Sequence, residues 1–117
     1  SHGDKNGAPA WGQEAAWVDY FATAAGHRVG IMVVPGPGNA RRCWMHTRDY
    51  GLVAVNPFPK QPKERREPYI KTVVRKGEPY RLSYGVLIHD APAEDMLDRK
   101  QVYEEVTKRL KTEVSVK

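Results

Sequence analysis

The stretch Tyr80-Arg81-Leu82-Ser83-Tyr84-Gly85-Val86-Leu87-Ile88-His89 decides the fold class. Tyr80, Leu82, Tyr84, Val86 and Ile88 fall on one side of an extended chain. Arg81, Ser83, Gly85, Leu87 and His89 fall on the other. That period of two belongs to a β-strand, and no helix would keep these apolar residues on one face.

Just before it, Gly77-Glu78-Pro79 reads as a turn, and Tyr69 to Arg75 as a strand that would pair with 80–89 through Gly77. Upstream, Val29 to Val34 is nearly all apolar, as expected of a central strand covered on both faces. Ala15 to Ala22, with Trp17-Val18-Asp19-Tyr20, is β-compatible and separated from it by a turn at Gly26-His27. Pro35-Gly36-Pro37-Gly38-Asn39 stops the central strand, because proline removes ladder donors and glycine permits positive φ. Tyr50 to Val55 resumes strand character, and Asn56-Pro57-Phe58-Pro59 breaks it.

The period changes near the C-terminus. Met96, Tyr103, Val106 and Leu110 share one helical stripe, with Pro92 where a first turn would begin. Glu94, Asp95 and Asp98 towards its start, and Lys108, Arg109 and Lys111 towards its end, would complement the helix dipole. The expected organisation is a loosely ordered segment at 1–13, an antiparallel β domain at 14–90, an amphipathic helix at 91–112 and a tail at 113–117. The fold class is mainly β: an antiparallel β-sandwich, or half of a larger one, with one C-terminal α-helix. Five strands are few for an independent sandwich, so the expected partners include further copies of the chain or a second half.

At 117 residues the chain suits one domain. Its net charge of +5 is concentrated between Lys60 and Lys76, where cations outnumber Glu64 and Glu67. Without a recognition helix, an aromatic run or zinc-finger spacing, that stretch reads as a solvated loop and an outer strand face, and nucleic acid is not an expected partner. No apolar run approaches the ~20 residues that cross a bilayer, so no membrane is expected. Cys43 has no second cysteine to pair with, and Arg41 and Arg42 beside it would favour a thiolate. The histidines His2, His27, His46 and His89 show no metal-ligand spacing, and neither a metal nor a cofactor is expected.

Chemistry-bearing side chains concentrate between Asn39 and Tyr50, read as a loop on a rigid β scaffold. Trp44 and Tyr50 offer faces for the C–H patches of a sugar. Asn39, Arg42, Arg48 and Asp49 offer hydrogen-bonding groups for its hydroxyls. His46 is the candidate general acid or base, since an unperturbed pKa of about 6.5 suits proton transfer at neutral pH. The competing reading is structural: Trp44 would plug the core, and Arg48 and Asp49 would pair with neighbouring charges.

Trp11-Gly12, Trp17 to Tyr20, Asn39 to Arg42, Trp44 to Leu52, Asn56-Pro57-Phe58 and Tyr80 to Asp90 together resemble the C-terminal half of bacterial proteins often named "methane oxygenase PmoA". Despite that name, the family is soluble and lacks the membrane spans of the methane monooxygenase subunit. The resemblance implies a chain about twice this length with a His-rich N-terminal half that is absent here. It also implies a bacterial, carbohydrate-degrading context and a periplasmic or secreted location. Pro35 and Gly36 stand where many members carry an Asp-His pair, which removes any proton transfer or metal binding by that pair. The expected function is carbohydrate binding, or part of a two-half carbohydrate-active site, centred on 39–50. The alternative is a structural or oligomerisation domain.

Overall fold

The computed structural model describes residues 11–58, 71–92 and 97–115, with side chains to Thr112. Two three-stranded antiparallel sheets and one C-terminal helix make up the described residues, an arrangement consistent with a β-sandwich. One sheet joins β1 (Gln13–Glu14), β4 (Trp44–Arg48) and β5 (Leu52–Asn56) in the order β1-β4-β5. The other joins β2 (Val18–Ala24), β3 (His27–Pro35) and β6 (Tyr84–Pro92) in the order β2-β3-β6. Helix α1 spans Arg99–Ser115.

The β2–β3 hairpin turns through Ala25 and Gly26, both at positive φ, with Ala24 paired to His27. Two such residues match the twist of the flanking strands, which is why this connection is tight. β3 is central in its sheet, yet its faces differ. Met32 and Val34 are fully buried, whereas Val29 and Ile31 reach solvent. The expectation of cover on both faces therefore holds for only part of the strand.

β6 departs furthest from expectation. It begins at Tyr84 and pairs with β3, Pro35 opposite Tyr84 and His27 opposite Pro92. Residues 71–75 are in no strand, and Gly77 sits in a local turn in which Glu78 N–H donates to Arg75 O at 3.1 Å. The hairpin expected through Gly77 is not formed in this described part, and residues 69 and 70 lie outside it. The helix-facing side of β6 is the less apolar of its two. Gly85, Leu87 and His89 turn towards α1, while Val86 and Ile88 are 62% and 78% exposed. Gly85 is the cause, because a Cβ there would overlap Val106, so the missing side chain admits the helix.

Two small cores result. Between the sheets, Ala15, Val18, Cys43 and Met45 pack with Val33, Val53, Val55 and Tyr84. On the other side of β2-β3-β6, the stripe residues Val106 and Leu110 of α1 cover Gly85, and Met32 and Val34 share that face. The helix starts at Arg99 rather than near Pro92, which closes β6. Asp98 is its N-cap, accepting from Gln101 N–H at 3.1 Å. Glu94, Asp95 and Met96 of the expected first turns lie outside the described residues, as do residues 1–10 and the charged connection 60–68.

A buried charge fixes helix to sheet. Asp19 of β2 is fully buried, and its Oδ1 lies 2.7 Å from His89 Nε2 of β6. Arg99 Nε donates to its Oδ2 at 2.5 Å. The Arg99 and Arg28 guanidinium groups also sit over the Phe21 ring, at 4.8 and 4.7 Å from its centroid. Removing a buried carboxylate leaves its partners uncompensated at a cost of about 3–5 kcal/mol. Asp19→Ala is expected to lose that much in urea unfolding, while Asp90→Ala, at the exposed His27–Asp90 pair, loses under about 1 kcal/mol.

Candidate ligand-binding face

The segment expected to be a loop from Asn39 to Tyr50 is a strand over Trp44–Arg48, and strand alternation divides its side chains. Met45 and Thr47 are buried towards β2-β3-β6. Trp44, His46 and Arg48 share the opposite, outer face with Glu14 of β1 and Leu52, Ala54 and Asn56 of β5.

Trp11 completes this face. Gly12 turns the chain at a φ of 68° and donates its N–H to Met45 O at 2.8 Å, which lays Trp11 over β4. The Arg48 guanidinium carbon is 3.5 Å from the Trp11 ring centroid, a stacked cation–π contact. The His46 ring meets Trp11 edge-on, with centroids 4.7 Å apart and planes at 73°. Trp11 is still 43% exposed, so the stack is a platform with an accessible aromatic surface.

The other expected site residues go to different places. Trp44 is only 7% exposed and its ring is not available for stacking. Asn39 is occupied by Ser83, whose O accepts from Asn39 Nδ2 at 2.9 Å and whose N–H donates to Asn39 Oδ1 at 2.8 Å. Arg42 pairs with Glu14 at 3.1 Å on the rim of the platform sheet. Together with Cys43, Pro35 and Tyr103, Asn39 and Arg42 line a cleft of about 190 Å³. Asp49 and Tyr50 lie in the β4–β5 turn, where Asp49 O accepts from the Tyr20 hydroxyl at 3.0 Å and Tyr50 is exposed. Thus Arg48 and His46 come together with Trp11, and the remaining five do not join them.

Trp11 is a lone aromatic in a polar, Gly-rich segment, and without periodic neighbours its place on this face is not legible from the residues alone. Its one signal is the following Gly12, which turns the chain back over β4.

Electrostatics limit the chemistry. His46 is pushed below its ordinary pKa by burial and secondarily by the Arg48 charge, so it is neutral at pH 7. Its Nδ1 is buried and has no hydrogen-bond partner among the described residues. Among the described residues no carboxylate orients the imidazole for proton transfer. Burial pushes the Cys43 thiol up, outweighing its hydrogen bond from Tyr84, so it stays protonated despite the neighbouring arginines. Among the described residues no three His, Cys, Asp or Glu converge as metal ligands. Nor is any helix there long and apolar enough to cross a membrane.

A family of unknown function, DUF6807, matches residues 1–102. The chain belongs to that family. The match covers all six described strands and the first residues of α1. No curated protein and no solved structure matches the chain.

A histidine with a lowered pKa in the folded state binds its proton more readily when unfolded. Its contribution to stability is therefore complete above about pH 6.5, the unfolded value, and is lost as pH falls through the folded value. Urea titrations at pH 7.5 and 5.5 are expected to show a larger acid loss for the native protein than for His46→Gln. Equal losses would mean that His46 is as solvated as in the unfolded chain.

Proposed function

We propose that this chain is a carbohydrate-binding β domain whose contact surface is the outer face of β1-β4-β5. The observation that carries the reading is the exposed Trp11 ring, backed by Arg48 and braced by His46. A pyranose ring presents C–H groups on its flat faces and hydroxyls around its edge. An aromatic surface beside guanidinium and imidazole groups suits both. Because the platform stands on paired strands, little order has to be gained when a sugar lands on it.

Binding is favoured over hydrolysis. Glycoside hydrolysis uses two carboxyl groups flanking one bond. Among the described residues of this face's strands, the one carboxylate is Glu14, already paired with Arg42. The resemblance of Trp44 to Leu52 and of Asn56-Pro57-Phe58 to the C-terminal half of the proteins named methane oxygenase PmoA supports a carbohydrate context. It also leaves room for a second half to complete an active site, in which His46 would be the proton-transfer group.

A glycan array followed by calorimetry tests the proposal. Trp11→Ala is expected to weaken binding of any captured glycan at least about tenfold, equivalent to ~1.4 kcal/mol. Unchanged affinity would place the contact elsewhere, and an array without hits would remove the reading.

A second reading rests on a different observation. Ile31, Val86 and Ile88 form an apolar patch on the part of β2-β3-β6 that the other sheet leaves uncovered, with Ile31 directly opposite Ile88. The occupant it fits is a second copy of this chain. Flat β-branched surfaces pack on one another as in sandwiches, and a two-fold axis would let the His27 and Asp90 side chains at the patch's far end hydrogen-bond across it. Light scattering at about 50 μM is expected to give a dimer that Ile88→Asp converts to monomer. A monomeric native protein would exclude this reading.

A further inference from the structure

We propose that the segment from Lys71 to Arg81 docks an acidic polypeptide strand by β-strand addition, a contact that does not depend on the carbohydrate reading. Lys71 to Arg75 has the composition of a strand, with Thr72, Val73 and Val74 β-branched in succession. Its course has no turn or bend until Lys76. Yet among the described residues it pairs with no strand, and the backbone groups of Val73 and Val74 make no hydrogen bond. The two valines are 66% and 60% exposed. Adjacent residues of an extended chain point to opposite sides, so neither side of the segment is covered here. Unpaired backbone groups in a β-prone stretch are a template for another strand.

The segment is held in position rather than loose. Arg41 Nη1 donates to Thr72 Oγ1 at 3.0 Å. Glu78 N–H donates to Arg75 O at 3.1 Å and closes the turn, with Gly77 at a φ of 85°. Beyond the turn, Tyr80 packs on Phe58 with ring centroids 5.7 Å apart, and Asn39 clasps both backbone polar groups of Ser83. A stretch anchored at both ends loses less freedom on pairing than a free one.

Charge decides what would pair with it. Lys71, Arg75, Lys76 and Arg81 are exposed, and Glu78 is the one carboxylate between positions 71 and 81. None of these five makes an ion pair among the described residues. A second copy of the same segment, laid antiparallel, would set Lys71 against Arg75 or Lys76, and like charges across a strand pair repel. Lys71, Val73 and Arg75 alternate onto one side, so the matching strand carries carboxylates opposite the two cations and an apolar residue between them. A nucleic acid would use the cations but neither the valines nor the free amides.

Fluorescence anisotropy of the full chain tests this with a labelled peptide Thr-Glu-Thr-Val-Thr-Glu-Thr and its counterpart with lysine in place of glutamate. The acidic peptide is expected to bind at least about tenfold more tightly, with a smaller ratio at high salt. Amide hydrogen exchange at Val73 and Val74 is expected to slow when it binds. Combining Lys71→Glu with Arg75→Glu, both at exposed side chains where substitution costs little stability, is expected to reverse the preference. Equal binding of the two peptides, or binding of neither, would overturn the inference. So would an acidic peptide bound without protection of Val73 and Val74, or a single-stranded oligonucleotide bound more tightly than the peptide, since either result makes the segment a general polyanion surface. None of these outcomes touches the carbohydrate reading, which rests on Trp11.

Discussion

Asp19 places a carboxylate where water cannot reach it, and the rest of the fold is arranged around that group. A buried charge is tolerated only with opposite charges or donors in close contact. His89 approaches from β6 and Arg99 from the first turn of α1, so one residue of β2 ties its strand to elements 70 and 80 residues further along the chain. With the helix committed to that face, Gly85 and Gly30 become necessary. A side chain at Gly85 would overlap Val106, and one at Gly30 would overlap the His89 ring. The same commitment turns Val86 and Ile88 away from the helix and into solvent.

The candidate ligand-binding face follows from the other sheet. Core packing of Met45 and Thr47 forces Trp44, His46 and Arg48 outward, because neighbours on a strand cannot share a face. The Tyr20 hydroxyl bridges the sheets, donating to Asp49 O and accepting from Gly51 N–H at 3.2 Å, which fixes the β4–β5 turn against β2. Trp11 then settles on an already rigid surface. The platform is thus built by strand alternation and one backbone hydrogen bond from Gly12, with no mobile loop required.

Period and punctuation were readable from the residues alone. The hairpin at Ala25-Gly26, the apolar β3, the alternation of β6 and the helical stripe of Tyr103, Val106 and Leu110 all carry local signals, and the mainly β class follows from them. Pairing and facing were not readable. Tyr84–Pro92 joins β3, with partners from Pro35 opposite Tyr84 to His27 opposite Pro92 (a separation no local pattern encodes), instead of residues just upstream. Its more apolar side faces outward because Gly85 and the buried Asp19 decide where the helix sits, and neither reads as a packing residue in sequence. At the site, the density of polar and aromatic groups between Asn39 and Tyr50 was visible. Strand register puts Trp44, His46 and Arg48 on one face, while the cover over Trp44 and the latch between Asn39 and Ser83 are tertiary contacts that no local pattern carries.

On the proposed function, ligand contact occurs on the outer face of β1-β4-β5. Amide and indole shift mapping by NMR, during titration with a mixture of acidic and neutral plant and algal oligosaccharides, addresses it directly. The Trp11 indole and the amides of His46 and Arg48 are expected to move first and furthest. Shifts confined to Val29, Ile31, Val86 and Ile88, or to the cleft by Asn39 and Tyr103, would contradict it.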